Sequence, residues 1–136
     1  MALTMVLLML LLGAGLLHAT RQHLDAALSL VTDERRYLLD RHQALSALAW
    51  GRRLTWLPQP GWHCQQQLQF GWRACLLQLD NGEALLRGSG APSGSEPLAL
   101  WQWLTSAEGE GWQPQAHGWL DFCPLADTAR CFPDEA

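Results

Sequence analysis

Apolar residues fill the chain from Ala2 to Leu17 almost without a break, and the first charged side chain is Arg21. A helix through residues 1–20 spans about 30 Å at ~1.5 Å per residue, the thickness of a bilayer's hydrocarbon core. Leu, Met and Val each favour insertion by a few tenths of a kcal/mol, and no charge opposes them. A cleaved secretory signal has a basic stretch ahead of a shorter apolar core. This run has none, so the segment is expected to be a retained transmembrane helix.

The apolar pattern continues past the membrane segment. Leu10, Leu17, Leu24, Val31, Leu38 and Leu45 recur every seven residues, with Leu28 and Ala49 at intermediate positions, while Arg35 and His42 interrupt the stripe. The charges of "TDERRYLLDRHQ" suit the wet face of the same helix. No proline occurs before Pro58, and Gly13 and Gly15 are the sole glycines before Gly51. One helix of about 50 residues, roughly 75 Å long, is the simplest reading. Residues 1–20 form its membrane half and residues 21–53 its amphipathic stem. Part of the stem stripe is expected to cover a sheet, with Leu45 among the covering residues, and the rest to meet other subunits.

After "WGRRLTWLPQPGW" the pattern changes to that of strands. "CQQQLQF" and "WRACLLQLD" flank a short junction, and the Asn-Gly pair of "DNGE" predicts a tight type I′ hairpin before "EALLRG". "GSGAPSGSEP" reads as a loop. "LALWQWLT" alternates, with Trp101 and Trp103 on one face and Leu98, Leu100 and Leu104 on the other. "GWLDF" is the expected last strand. Residues 54–136 are therefore a small head of four or five antiparallel strands, with the stem helix as its lid. The fold class is α+β.

Charge and cysteines refine this picture. Residues 21–53 hold six Arg against four acids, whereas 54–136 hold three Arg against nine acids. An acidic head disfavours nucleic acid. Every basic residue other than histidine is Arg, which excludes polymerisation through lysine isopeptide bonds. Cys64, Cys75, Cys123 and Cys131 all lie in the head, an even count that predicts two disulfides and an oxidising compartment. Cys64 and Cys75 stand symmetrically about a turn, where opposed strand residues approach within disulfide reach, and Cys123 and Cys131 close a short C-terminal loop. The expected pairing is 64 with 75 and 123 with 131.

Catalytic chemistry finds little support. A zinc set of His63, Cys64, Cys75 and His117 lacks C-x-x-C or H-x₃-H spacing. "GSGAPSG" contains Pro92 and leads into no helix that would hold a phosphate. Ser93, His117 and Asp121 have the residue types of a hydrolase triad, but Ser93 has no G-x-S-x-G setting. No enzyme activity, cofactor or metal is expected. The eight tryptophans are better read as core and subunit contacts than as a carbohydrate platform.

An unbroken apolar helix running into an amphipathic stem and then a small disulfide-bearing sheet resembles a type IV minor pilin or pseudopilin. The likeness is greatest to the small enterobacterial prepilin-peptidase-dependent minor pilins. It is carried by "ALTMVLLMLLLG", "ALSALAWG", the Cys64–Cys75 stretch with "ACL" and "EALL", and "HGWLDFCPL" with Cys131. The resemblance implies a type IV pilin-like fold and a structural, non-enzymatic subunit that primes pilus or pseudopilus assembly and sits at or near the tip, a role in fimbrium biogenesis or protein secretion. It implies single-pass anchoring in the bacterial inner membrane with the head in the periplasm. Partners would be other minor pilins and the major pilin through the N-terminal helix, the inner membrane itself, and prepilin peptidase during maturation. Met1, Met5, Leu10, Leu17, Leu24 and Val31 are the implied packing residues, with Met1 either the N-methylated first mature residue or the start of a trimmed chain. Major pilins carry Glu at the fifth mature position to pair with the amine of the preceding subunit. Met5 stands there in this chain, as in the K-type minor pseudopilin that caps the tip.

Arg21, Arg35 and Arg36 follow the apolar run, which by the positive-inside rule alone places the head in the cytoplasm. The cysteines and the family pattern place it in the periplasm, and that is the expectation adopted. The competing functional expectation is a membrane-anchored periplasmic protein whose Trp-rich head binds a glycan or peptide, which requires a row of exposed Trp on a concave face. A third is a membrane scaffold whose stalk pairs with one fixed partner.

Overall fold

A computed structural model describes residues 1–91 and 97–133. The chain divides into two compact units, Met1–Tyr37 and Leu38–Ala136. Helix α1 runs from Ala2 to Gly51, and the strands β1 (Trp62–Gln67), β2 (Trp72–Gln78), β3 (Glu83–Ser89), β4 (Ala99–Ala107) and β5 (Gly111–Leu120) follow. A 3-10 turn spans Thr128–Cys131. The strands form one antiparallel meander in the order β1-β2-β3-β4-β5. This long N-terminal helix packed on a small five-stranded antiparallel sheet is an α+β arrangement consistent with a pilin-like fold.

In the first unit every residue of α1 is exposed. Its threonine hydroxyls are satisfied within the helix. Thr20 Oγ1 donates to Leu16 O at 2.9 Å and Thr32 Oγ1 to Leu28 O at 2.8 Å. Such back-bonding is how a threonine hydroxyl is accommodated in lipid or a packed helical environment.

In the second unit the end of α1 covers the sheet through small residues. Ala44, Ala47, Leu48 and Gly51 are its buried positions, spaced i, i+3, i+4, i+7 along one helical face. With Trp56 they meet Ala74, Leu76, Ala84, Leu86, Leu100 and Leu104 of the sheet. A Cβ on Gly51 would lie 2.8 Å from the Cβ of Ala74, so the two backbones approach as closely as side chains allow. Leu45, expected to cover the sheet, is instead 37 % exposed. At roughly 100° per residue it stands about a quarter-turn from the centre of the buried face, and its size is unsuited to so close a seam.

The other sheet face carries Cys75, Leu77, Leu85 and Arg87, also buried. Trp62 Nε1 donates to Arg130 O at 2.6 Å and ties the C-terminal segment to β1 on that side. As expected, Trp101 and Trp103 share this face, while Leu100 and Leu104 point to the helix, since their cross-strand partners are Arg87 and Leu85 in one case and Gly88 and Ala84 in the other.

Three local expectations are corrected. The "DNGE" turn is not type I′, which needs positive φ at both central residues; Gly82 has φ +79°, but Asn81 does not take a positive value. Leu79 N donates to Glu83 O, and Asn81 Oδ1 accepts from Glu83 N, making a three-residue loop with glycine in the left-handed place. The last strand begins at Gly111, seven residues before "GWLDF", and ends at Leu120. Gly109 and Gly111, at φ +83° and +75°, make the preceding hairpin turn. The first strand starts at Trp62 and stops at Gln67, short of "LQF". There Gly71 N donates to Gln67 O and Gln69 N to Gln67 Oε1, closing the β1–β2 turn.

Candidate functional site

Helix α1 is the one helix among the described residues that is long and apolar enough to cross a membrane. Its heptad residues Leu10, Leu17, Leu24 and Val31 are all exposed, as are Met1 and Met5. Leu24 and Val31 are 58 % and 60 % exposed although they lie beyond the membrane-length segment. In the second unit Leu38 and Leu45 repeat the same spacing and are exposed too. Within the second unit the sheet is met by Ala44, Ala47, Leu48 and Gly51, and Leu45, at 37 % exposure, lies partly covered beside them. A row of large aliphatic side chains outside lipid gains ~25 cal/mol per Å² when covered. The candidate site is therefore a helix surface suited to packing against other apolar helices or lipid.

Both disulfides are present, joining Cys64 to Cys75 and Cys123 to Cys131. Cys64 and Cys75 are directly paired across β1 and β2 with Cα atoms 4.0 Å apart. The bond locks the edge strand onto the sheet. These bonds consume the thiols of the zinc set weighed above, and no cluster of three or more metal-ligating side chains occurs among the described residues. Ser93 of the triad lies outside the described residues, as does most of "APSG" in the loop. His117 and Asp121 are exposed.

Of the eight tryptophans one is buried, six are half-buried and one is exposed. Trp56 is buried, and its Nε1 donates at 2.9 Å to Gly51 O, the helix-end carbonyl that also accepts from Leu54 N at 3.3 Å. It meets His63 edge-on at 5.6 Å. Gln65 Nε2 and Gln78 Nε2 hold Thr55 O and Leu57 O, fixing the connection on either side of it. Trp50 and Trp112 pack at the margin of the core. Trp119 alone is classed as exposed, and the Arg41 guanidinium lies over its ring at 5.3 Å. Trp62, Trp72, Trp101 and Trp103 are half-buried, and Trp72 stacks on exposed Phe70 with ring centroids 4.6 Å apart.

Two features had no counterpart in the expectations. One is the small-residue seam Ala44, Ala47, Gly51, which lies in "ALSALAWG", a segment that enters the sequence reading only through the family resemblance. The other is a bulge in β5. Pairing passes from Leu104↔Pro114 to Gln102↔Trp119, so residues 115–118 stand opposite Trp103 alone. His117 takes φ +58° there, and Gly118 admits the backbone of Trp103.

A family model described as "Protein of unknown function (DUF2509)" matches residues 7–131. The chain belongs to that family. No curated protein matches it, and neither does any solved structure. The DUF2509 match takes in Leu10, Leu17, Leu24, Val31 and all four cysteines, while Met1 and Met5 lie ahead of it. Membership thus spans both the exposed helix and the disulfide-locked head without attaching an activity to either.

Proposed function

We propose that this member of the DUF2509 family is a minor pilin: a non-enzymatic subunit that helps to prime assembly of a type IV pilus or pseudopilus and resides at or near its tip. The observation that carries the reading is the pair of faces on α1. Ala44, Ala47, Leu48 and Gly51 bind the head, while large aliphatic residues at heptad spacing, Leu24 and Val31 among them, are exposed. A plain anchor needs apolar residues in the bilayer and nowhere else. An apolar stripe continuing through the charged stem is what a subunit requires when it passes from lipid into a bundle of like helices. The disulfides suit a head folded in the periplasm. The acidic balance of the head and the absence of Lys fit a non-covalent protein fibre and argue against nucleic acid as partner.

The test is photocrosslinking in intact cells from probes replacing Leu24 and Val31. Crosslinks to the N-terminal helices of other pilins are expected. Adducts with lipid alone, in cells that are assembling fibres, would overturn the reading.

A further inference from the structure

The two edges of the sheet are built differently. β5 carries Pro114, which donates no backbone hydrogen bond, and the four-residue bulge at His117. Both devices prevent strand addition. β1, Trp62–Gln67 with sequence WHCQQQ, has no proline, no Asp, Glu, Lys or Arg, and no bulge against β2. Its outward groups can be assigned. The close Cα approach of Cys64 and Cys75 marks a non-hydrogen-bonded pair, and Gly71 N donates to Gln67 O on the inner side. By alternation His63, Gln65 and Gln67 bond to β2, while Trp62, Cys64 and Gln66 turn their N–H and C=O outward. Among the described residues no backbone partner meets those outward groups. The disulfide holds the strand rigid, so little ordering entropy remains to oppose pairing.

We propose that β1 is a strand-addition surface whose occupant is β1 of a second copy of this chain, antiparallel about a two-fold axis at Cys64. Trp62 then pairs with Gln66 of the second copy, Cys64 with its counterpart, and each pair exchanges two backbone hydrogen bonds. A second copy is favoured over an open chain of copies because β5 is blocked. A β1-to-β5 contact, which would propagate as a fibre, is closed off, and the isologous β1-to-β1 contact ends at a dimer. The edge brings no like charges together even though the heads are acidic. This goes beyond the minor-pilin reading and does not rest on it.

The experiment uses the full chain in detergent, with light scattering to count copies and three variants. Gln66→Pro removes an outward N–H that β2 does not use. Gln66→Ala keeps it. Gln66→benzoylphenylalanine carries a photoprobe. Wild type and Gln66→Ala are expected to dimerise, and Gln66→Pro to raise the dissociation constant roughly tenfold to a hundredfold while keeping both disulfides. The probe should label the segment around Trp62 of an isotope-labelled second copy, a readout that stands even if the proline variant misfolds. A monomeric wild type, a dimer as tight in folded Gln66→Pro as in wild type, or labels confined to other segments would each overturn the proposal.

Discussion

Gly88 of β3 lies directly beneath Leu48 of α1: a Cβ at position 88 would come within 2.8 Å of the Leu48 backbone nitrogen and 2.9 Å of Ala44 O. These are backbone atoms of a helix and cannot swing aside. The backbone of Gly88 has no positive φ, so any cost of a side chain there is steric. Gly88→Ala is expected to destabilise the head by about 1 to 3 kcal/mol through forced separation of helix and sheet. Gly13→Ala, where the new methyl meets open space, should leave head stability unchanged. Urea unfolding followed by tryptophan fluorescence measures both, and equal stability of the two variants would mean that the seam is looser than described.

The two leucines near the end of α1 should behave oppositely. Leu48 is 2 % exposed against the sheet, and Leu48→Ala is expected to cost about 2 to 5 kcal/mol. Leu45 lies at the margin of the contact, 37 % exposed, so Leu45→Asp should cost about 1 kcal/mol or less, well below Leu48→Ala. On the minor-pilin reading Leu45→Asp and Leu24→Asp instead reduce fibre assembly. A fibre count beside an unfolding curve separates these effects, and unfolding of the head by Leu45→Asp would contradict its exposure.

The leucine heptad is conspicuous in the sequence because large aliphatic residues stand out against "TDERR". It marks the helix and its length well, since α1 ends at Gly51 where the periodic stretch gives out. It misidentifies the head-binding face, because a close helix-to-sheet contact is made by what is absent, a side chain at Gly51 and Gly88, and small residues carry little signal in a hydrophobic pattern. The strand alternation around Trp101 and Trp103 was legible for the opposite reason: two large residues at period two leave no choice of face. The start of β5 was hidden by Pro114 and two glycines, residues that normally interrupt strands and here belong to an edge with a bulge. The Cys64–Cys75 pairing followed from turn symmetry and the Cys123–Cys131 pairing from closeness in sequence, neither of which requires packing or long-range contacts.

Trp56 joins the helix end to the sheet by shape and by one hydrogen bond. Trp56→Phe removes the donor to Gly51 O while keeping most of the ring, and about 0.5 to 1.5 kcal/mol is the expected loss. Trp56→Ala should cost about 3 to 5 kcal/mol, because the buried ring also meets His63. Thermal unfolding of the two variants distinguishes bond from volume, and a similar loss in both would assign the whole contribution to the bond.

The disulfides close rings of similar size, 11 and 8 residues apart in sequence. The chain-entropy relation gives each roughly 2.5 to 3 kcal/mol. Their local consequences should differ. Removing the first pair with Cys64→Ala and Cys75→Ala frees the β1 edge, and amide exchange should rise in Trp62–Gln67. Removing the second with Cys123→Ala and Cys131→Ala releases the segment that accepts the Trp62 indole hydrogen bond, so the emission of Trp62 should shift to the red. Exchange confined to the same residues in both variants would show the two rings to be one cooperative element.

The tip assignment has its own test. By the resemblance, a fibre-body subunit brings a carboxylate in its apolar helix to the N-terminal amine of its neighbour, because an unpaired charge in lipid or in a packed helical core is costly. The segment up to Leu24 contains no Asp or Glu; the first carboxylate is Asp25. A subunit with none ahead of it has no neighbouring amine to neutralise, yet its exposed leucines still pack against the helices that follow. It would then be needed once per fibre, at initiation, and not at each added subunit. Deleting the gene should therefore lower the number of fibres per cell severalfold while leaving the length of those that form nearly unchanged. Met5→Glu should be tolerated without distributing the protein along the shaft. Immunogold labelling and fibre counts by electron microscopy read both quantities. Label spread evenly along shafts would overturn the tip position, and normal fibre numbers in the deletion would remove the priming role.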